Sequence, residues 1–376
     1  MKFSSHTALF GKPIDELETP VLLVDLDCME RNLADMAAYC SAHNISLWPH
    51  TKTHKSISIA QRQLELGAAG LTVAKSREAE VMAKAGGKRI LVAYPIWGDK
   101  KWQRLAEFAE DNEITVALDS VETACGLARE ARKSGVRFNA LVDLDLGMLR
   151  TGVSSPLEAV ELAKELDGLP ELDVQGLFTY YGHVWGRPAD QDSALCEMSA
   201  TVEETLHLFD KAGISRARVS GGSTPTAKAS HRIYGQNETR PGTYVFYDRN
   251  YTGIDVCSRE ECALTVLTSV VSCRVPGKAV VDAGSKTMSG DLWLSGDGKG
   301  YGWILEHSPE IVFSKMSEEH GHLDILSGAK TLKVGDRLRI IPNHVCTTVN
   351  QHDFYLGIRN GVVEKVFFTD ARGCVQ

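Results

Sequence analysis

The sequence predicts an α/β protein: a TIM-type (β/α)8 barrel over residues 20–252, followed by an all-β domain over residues 253–376 that also takes in residues 1–19. Three observations carry the prediction. From about residue 20, short runs rich in β-branched and aromatic residues alternate with longer amphipathic stretches, as expected of βα units around a parallel sheet. Eight such units fit into roughly 230 residues, the size and count of a closed barrel. Past about residue 255 the helical periodicity stops, and β-rich runs separated by Gly, Pro and Asp take over.

In chain order, the expected barrel strands are VLLVD from Val21, ISLWP from Ile45, GLTV from Gly70, RILVA from Arg89, ITVAL from Ile114, FNALVD from Phe138, LDVQGLF from Leu172 and RARVS from Arg216. Between them, apolar residues recur at three and four positions over Asp27–His43, Ser56–Leu66, Ser76–Lys84, Ser120–Lys133, Ser154–Leu166 and Ser193–Lys211. Ser or Asp opens each of these, where a helix needs a side-chain acceptor for its first N–H groups. A doubly wound open sheet is the rival architecture. Against it, the first run leads into DLDCMERN rather than a G-x-G-x-x-G turn. The later runs ALTVLTSVVSCRV, GKAVVDAG, YGWILEH, DRLRIIPNHVC and FYLGIRNGVVEKVFF make the second domain.

Composition narrows the function classes. The 376 residues are 43% hydrophobic and 24% charged, the balance of a chain that folds on its own. A formal charge of -8 leaves no basic field for a nucleic acid or an anionic membrane. The apolar runs are too short to span a bilayer, so a cytoplasmic protein is expected. Nine cysteines without a C-x-x-C pair argue for reduced thiols rather than a disulfide framework.

Functional residues of such a barrel collect where its strands end. ISLWP is followed by His50-Thr51-Lys52-Thr53-His54-Lys55, FNALVD by a stretch ending in Arg150, LDVQGLF by Thr179-Tyr180-Tyr181-Gly182-His183, and RARVS by Gly221-Gly222-Ser223-Thr224. Two glycines let backbone N–H groups converge on a phosphate, with Ser223 and Thr224 adding hydroxyls, although a tight Ser-capped turn reads the same way. Lys52 beside such a site is what a Schiff base with an aldehyde cofactor requires; the same cluster also suits a solvated loop. Arg150 suits a phenolate or carboxylate partner and Tyr180 a flat ring, or each is ordinary packing. His344 and Cys346, two apart in an expected strand, would share a face and grip one metal, unless the thiol is simply buried beside an unrelated histidine. Glu318-Glu319-His320-Gly321-His322 is either a second polar patch or a turn.

Together, PHTKTHK (Pro49 to Lys55), the Asp-Leu-Gly-Met-Leu-Arg segment ending at Arg150, SGGSTPT (Ser220 to Thr226), RPGTYVFYD (Arg240 to Asp248), EEHG (Glu318 to Gly321) and PNHVC (Pro342 to Cys346) resemble the D-threonine aldolase and D-serine dehydratase family. This is the metal-assisted branch of the alanine-racemase-like pyridoxal phosphate enzymes, and the motifs match in order across nearly the whole chain. The resemblance implies pyridoxal phosphate joined to Lys52, with His50, Arg150, Tyr180, Gly221, Gly222, Ser223, Thr224 and Tyr247 binding the cofactor. It also implies a divalent metal (zinc, manganese or magnesium) on His344 and Cys346, a homodimer, and a small D-amino acid as substrate. His183 is the candidate base for a β-hydroxyl. The expected activity is lyase action on D-3-hydroxy amino acids, by retro-aldol cleavage to glycine and an aldehyde or by dehydration to a 2-oxo acid and ammonia. Aldolases of the family carry His-x-Asp at the metal pair and dehydratases His-x-Cys, which His344-Val345-Cys346 matches, whereas PNHVCTTVNQHD and ARGCVQ look more like the aldolase subgroup. A racemase, which needs no metal, and a non-catalytic pyridoxal phosphate carrier, which lacks the second domain, are the other readings.

Overall fold

The computed structural model describes residues 7–295 and 300–376. Contacts divide the chain into two compact units. One holds Ala34–Lys52, Ile57–Gly242 and Gly373–Gln376; the other holds the chain up to Leu33, Thr53–Ser56 and Thr243–Arg372.

The first unit contains eight parallel strands: Ser46–Leu47, Leu71–Val73, Arg89–Val92, Glu113–Leu118, Phe138–Asp145, Leu172–Tyr180, Arg218–Gly221 and Glu238–Thr239. The last pairs with the first. On the other side of the first strand, Ala69 N–H donates to Leu47 O at 2.8 Å and Thr72 N–H to Pro49 O at 2.9 Å, which completes the ring. Trp48, Leu91, Ala117, Leu141 and Phe178 form one buried cluster. Beside Trp48, Arg218 makes a buried ion pair with Glu238 at 2.6 Å and donates to Thr115 Oγ1 at 2.7 Å; its guanidinium lies 4.8 Å from the Trp48 ring centroid.

The expected helices occur within a residue or two of their predicted ends, for example Leu26–Ala42 and Asp192–Ala212. Ser155 caps Pro156–Asp167 by accepting from Glu158 N–H. Gly135 and Gly213 end two helices in the left-handed conformation, φ 68° and 72°. Asp99–Ala109 is a further helix that the periodicity reading did not name.

Gly176 occupies a position only glycine tolerates. Its φ is +146°, at a register irregularity beside Ala140 and Leu141, and a Cβ there would lie 1.9 Å from Arg218 O. Gly176→Ala is expected to destabilise the protein by about 3 kcal/mol, read as a lowered urea midpoint; an unchanged midpoint would refute the steric argument.

The second unit is a mainly antiparallel sheet. Its central path runs Ile311–Met316, Gly321–Ile325, Lys278–Val281, Leu264–Ser272, Val21–Asp25, Phe354–Arg359, Val362–Phe368, with Gly302–Ile304 and Arg337–Pro342 branching off.

Three expectations are corrected here. VLLVD is not a barrel strand: Val21–Asp25 pairs antiparallel with Leu264–Ser272 and parallel with Phe354–Arg359. The eighth barrel strand is Glu238–Thr239 instead, so SGGSTPT follows the seventh. The division between units accordingly falls inside the helix Leu26–Ala42 and at Gly242/Thr243, not at residues 20 and 252. Four buried apolar residues in a row suit the interior of either sheet, and only pairing partners far along the chain decide between them.

Candidate active site

The barrel unit presents its chemistry at the strand ends. Thr51 N–H donates to Thr72 O at 2.9 Å and anchors the start of the lysine loop. The N–H of half-buried Lys52 then points to Nδ1 of buried His50 at 3.4 Å. After Phe138–Asp145, the Asp145 carboxylate shapes the next loop: Oδ1 accepts from the N–H groups of Gly147, Met148 and Leu149 at 3.1, 2.8 and 3.1 Å. That loop delivers Arg150, whose guanidinium carbon lies 4.4 Å from the Tyr180 ring centroid, a cation–π stack. It also meets His183: a Cβ on Gly147 would sit 3.2 Å from the imidazole Nε2, a tight contact, and the φ of +107° at Gly147 favours glycine. His183 itself is exposed to solvent.

Sequence reasoning assigned no role to Arg240 or Asp143, and both lie buried beneath this rim. Arg240 donates to Ser220 Oγ at 2.7 Å and Thr179 O at 2.5 Å, with its guanidinium 3.8 Å from the Phe178 ring. Burial lowers its pKa to about 10, against the opposing pull of Glu238, Tyr181 and Asp143. Asp143 shares a narrow cleft with Met148, Arg150, Thr151 and Tyr180. Burial, aided by Asp119, raises its pKa from 3.8 to about 6, although Thr151, Arg240 and Arg150 pull it down. The folded chain thus holds this proton more tightly than the unfolded chain, and the group's contribution to stability falls as pH rises through that interval. Relative to Asp143→Asn, the wild type is expected to lose about 3 kcal/mol between roughly pH 4 and pH 7. Urea titrations of both proteins across that range measure it; parallel stability curves would refute it.

The glycine turn at Gly221 and Gly222 has the donors an anion needs. Gly222 has a φ of +90°, and a Cβ on it would meet Thr239 Oγ1 at 2.5 Å. The turn leads into Ser223, which precedes the nine-residue 3-10 helix Thr224–Arg232. Ser223 Oγ lies 3.1 Å from Thr226 Oγ1, and no carboxylate occurs in Ser220–Thr226. Below Gly221, Thr179 Oγ1 and Gln236 Nε2 are buried polar atoms without partners. Hydroxyls and backbone N–H groups opening a helix suit a phosphate group.

The second unit carries the other expected pair, with a correction. His344 and Cys346 do not lie on one strand: the strand ends at Pro342, His344 is extended at φ -136°, and Cys346 is in the short helix Val345–Val349. Their side chains still meet, because the turn into the helix brings them together rather than the two-residue period of a strand. His344 Nδ1 is 2.8 Å from Asp291 Oδ2. Cys346 Sγ is 3.2 Å from Thr53 Oγ1 and 3.6 Å from Thr243 Oγ1. Fully buried Asp248 accepts from Val345 N–H at 3.0 Å and Asn250 N–H at 3.1 Å, joining this loop to the helix Arg249–Thr252. Burial raises the Asp248 pKa to about 7, against the pull of His344. Burial by itself would lower the His344 pKa, but the Cys346 sulfur and the carboxylates of Asp248 and Asp291 outweigh it and raise it to about 10.

So much negative charge around one imidazole suits a bound cation, and a carboxylate on Nδ1 leaves Nε2 as the ligating nitrogen. Among the described residues no group of three or more His, Cys, Asp or Glu side chains is placed to hold a metal ion. Tyr247 belongs to this unit and packs edge-on against Tyr251, ring centroids 6.3 Å apart. Glu318 and Glu319 form a hairpin turn and pair with Lys286 at 2.8 and 2.9 Å, so that patch is a surface turn.

An eight-stranded parallel barrel with a lysine loop and a glycine-rich turn at its strand ends, joined to a β unit, defines an enzyme of the alanine-racemase-like class. The family model described as "Alanine racemase, N-terminal domain" matches residues 24–250, and a serine dehydratase domain model matches residues 263–358. A 3-hydroxy-D-aspartate aldolase of Paracoccus denitrificans (strain Pd 1222) is 35% identical over 97% of this chain and 95% of its own. The crystal structure of a D-threonine aldolase from Filomicrobium marinum matches with a TM-score of 0.91 and 31% identity, over 98% of this chain and 99% of the other. A D-threo-3-hydroxyaspartate dehydratase in which one cysteine is replaced by alanine, described as the metal-free form, matches with a TM-score of 0.87 and 30% identity over 95% and 99%. The chain belongs to the D-threonine aldolase and D-serine dehydratase family, whose members are pyridoxal phosphate-dependent lyases.

Proposed function

We propose that this lyase cleaves D-3-hydroxy amino acids by a retro-aldol reaction, giving glycine and an aldehyde. Lys52 would carry pyridoxal phosphate, and His344 and Cys346 a divalent cation: zinc, manganese or magnesium. The observation that carries the proposal is the imidazole–thiol pair backed by Asp291, because action at a β-hydroxyl gains from a Lewis acid and racemisation at Cα does not.

When bound, pyridoxal phosphate supplies an electron sink for a carbanion at Cα, and the cation polarises a hydroxyl oxygen. The chain's own groups do the rest. Gly221, Gly222, Ser223 and Thr224 would hold the phosphate, and Arg150, which stacks on Tyr180, would hold the phenolic oxygen. Lys52 would hold the cofactor through Nζ and would serve as a proton carrier at Cα. His183 takes the proton from the β-hydroxyl, so that the electrons of the O–H bond form the aldehyde as the Cα–Cβ bond breaks.

Cys346 favours a second reading. A thiolate is the softer, zinc-selecting donor, and with Lys52 removing the Cα proton the same site would release hydroxide and end in a 2-oxo acid and ammonia. Incubation with D-threonine, D-serine and D-threo-3-hydroxyaspartate separates the two. Glycine with an aldehyde is the expected product set; a 2-oxo acid with ammonia would replace it with the dehydratase, and enantiomers formed without metal would discard both. The proposal places the enzyme in the cytoplasm, where its nine cysteines, none of them in a disulfide, stay reduced, acting as a homodimer.

A further inference from the structure

We infer that Asp291 is the positioning residue of the metal site: it holds the Nδ1 side of His344, so that Nε2 is the ligating atom and the ring cannot turn. The inference rests on the reading that His344 and Cys346 hold a cation, and goes beyond it by assigning the residue that makes the histidine a ligand.

Asp291 lies in a segment without regular secondary structure whose path hydrophobic burial does not explain, since Leu292 and Leu294 on it are 59% and 67% exposed. Polar contacts fix its course. Asn343 Nδ2 donates to Asp291 O at 3.0 Å and to Gly300 O at 2.9 Å. Leu294 N–H donates to Asn250 Oδ1 at 2.8 Å, and Ser295 Oγ to Asn250 O at 3.4 Å. Arg249 stacks over Trp293 at 4.0 Å while donating to Asn343 Oδ1 at 3.3 Å. The segment opens at Ser289, a non-glycine residue held at φ 69°. These contacts bring one side chain to the metal pair. Asp291 Oδ2 meets His344 Nδ1 at 2.8 Å and accepts a short hydrogen bond from Thr347 Oγ1, which is itself 3.1 Å from Ser289 Oγ.

The two imidazole nitrogens point away from each other, so a carboxylate on Nδ1 cannot share a cation with Nε2. Asp291 therefore stands behind the ligand. As an acceptor it requires the proton on Nδ1, which leaves the Nε2 lone pair for the metal, and its charge strengthens that donor. Asn in its place keeps the shape but loses the charge, and its amide can present N–H as readily as C=O to the ring.

The test is zinc titration of metal-stripped, pyridoxal phosphate-loaded protein by calorimetry, with the visible spectrum of the cobalt-substituted protein as a second readout. Asp291→Asn is expected to weaken zinc binding about 10- to 100-fold and to displace the cobalt bands. Affinity within twofold of wild type and an unchanged cobalt spectrum would overturn the inference. A loss as complete as that of His344→Ala would mark Asp291 as a ligand and overturn the positioning role. If Asp291→Asn does not fold, Thr347→Val carries the test beside Ser289→Ala. The first removes the carboxylate's second hydrogen bond together with the hydroxyl's contacts to Ser289 Oγ and His344 O; the second removes, of these, only the Ser289 contact. Binding weakened in Thr347→Val but not in Ser289→Ala supports the inference, and unchanged binding in Thr347→Val rejects it. Zinc binding to wild type that is indifferent to His344→Ala would instead defeat the underlying reading, and the role of Asp291 with it.

Discussion

Lys52→Ala is expected to give a folded, colourless protein whose lyase activity is at least about 10⁴-fold below wild type. The size of the effect follows from the two tasks placed on one nitrogen, covalent attachment of the cofactor and proton transfer at Cα. Stability should change little, because the residue is half-buried in a loop whose backbone bonds survive the substitution; surface changes of this kind stay within about 0.5 kcal/mol. Lys52→Arg, which keeps the positive charge without a nucleophilic amine, should be as inactive as the alanine variant. The absorption spectrum after incubation with pyridoxal phosphate and the rate of product release measure both claims. A variant that remains yellow after dialysis and turns over would remove Lys52 from the chemistry.

His344→Ala is expected to abolish metal binding and to lower lyase activity about 10³-fold, while the yellow colour persists. The size is that of a Lewis acid worth several kcal/mol at a hydroxyl oxygen. The variant removes the imidazole on which both Asp248 and Asp291 act, so an accompanying fall in stability is part of the prediction. A chelator should reproduce the activity loss in the wild type, and added zinc or manganese should reverse it there but not in the variant. Full lyase activity in the presence of chelator would remove the cation from the reaction.

Much of the barrel was legible because its helices and inner strands announce themselves locally. Glu113–Leu118 and Phe138–Asp145 are largely buried runs, as two-sided burial demands; the helix between them, Val121–Ser134, ends at Gly135, and the next, Pro156–Asp167, is capped by Ser155. The misplaced strand shows where such reading stops. VLLVD is apolar for the same reason as a barrel strand, but its partners lie at Leu264–Ser272 and Phe354–Arg359. The true closing strand, Glu238–Thr239, has two polar residues and gives no signal at all; it is a strand only because Arg218 pairs with Glu238 and the ring must close.

The candidate site divides in the same way. Lysine, glycine pair, imidazole and thiol could be singled out by what each group is able to do. Asp291, 53 residues before His344 and flanked by glycine and leucine, could not, since nothing near it hints at metal chemistry. Nor could Asp143 or Arg240, whose importance comes from burial next to one another.

The order of residues along this chain therefore determined which functional groups were available, which segments had to coil or extend, and to which family the enzyme belongs. Only the tertiary structure decided which sheet took Val21–Asp25, how His344 and Cys346 came to face one another across the start of a helix, and that Asp291 stands behind the imidazole. The reason is physical. Periodicity and capping are local free energies written into neighbouring residues, whereas a strand's partner, a buried carboxylate's pKa and a histidine's tautomer depend on groups that folding alone brings within a few ångströms.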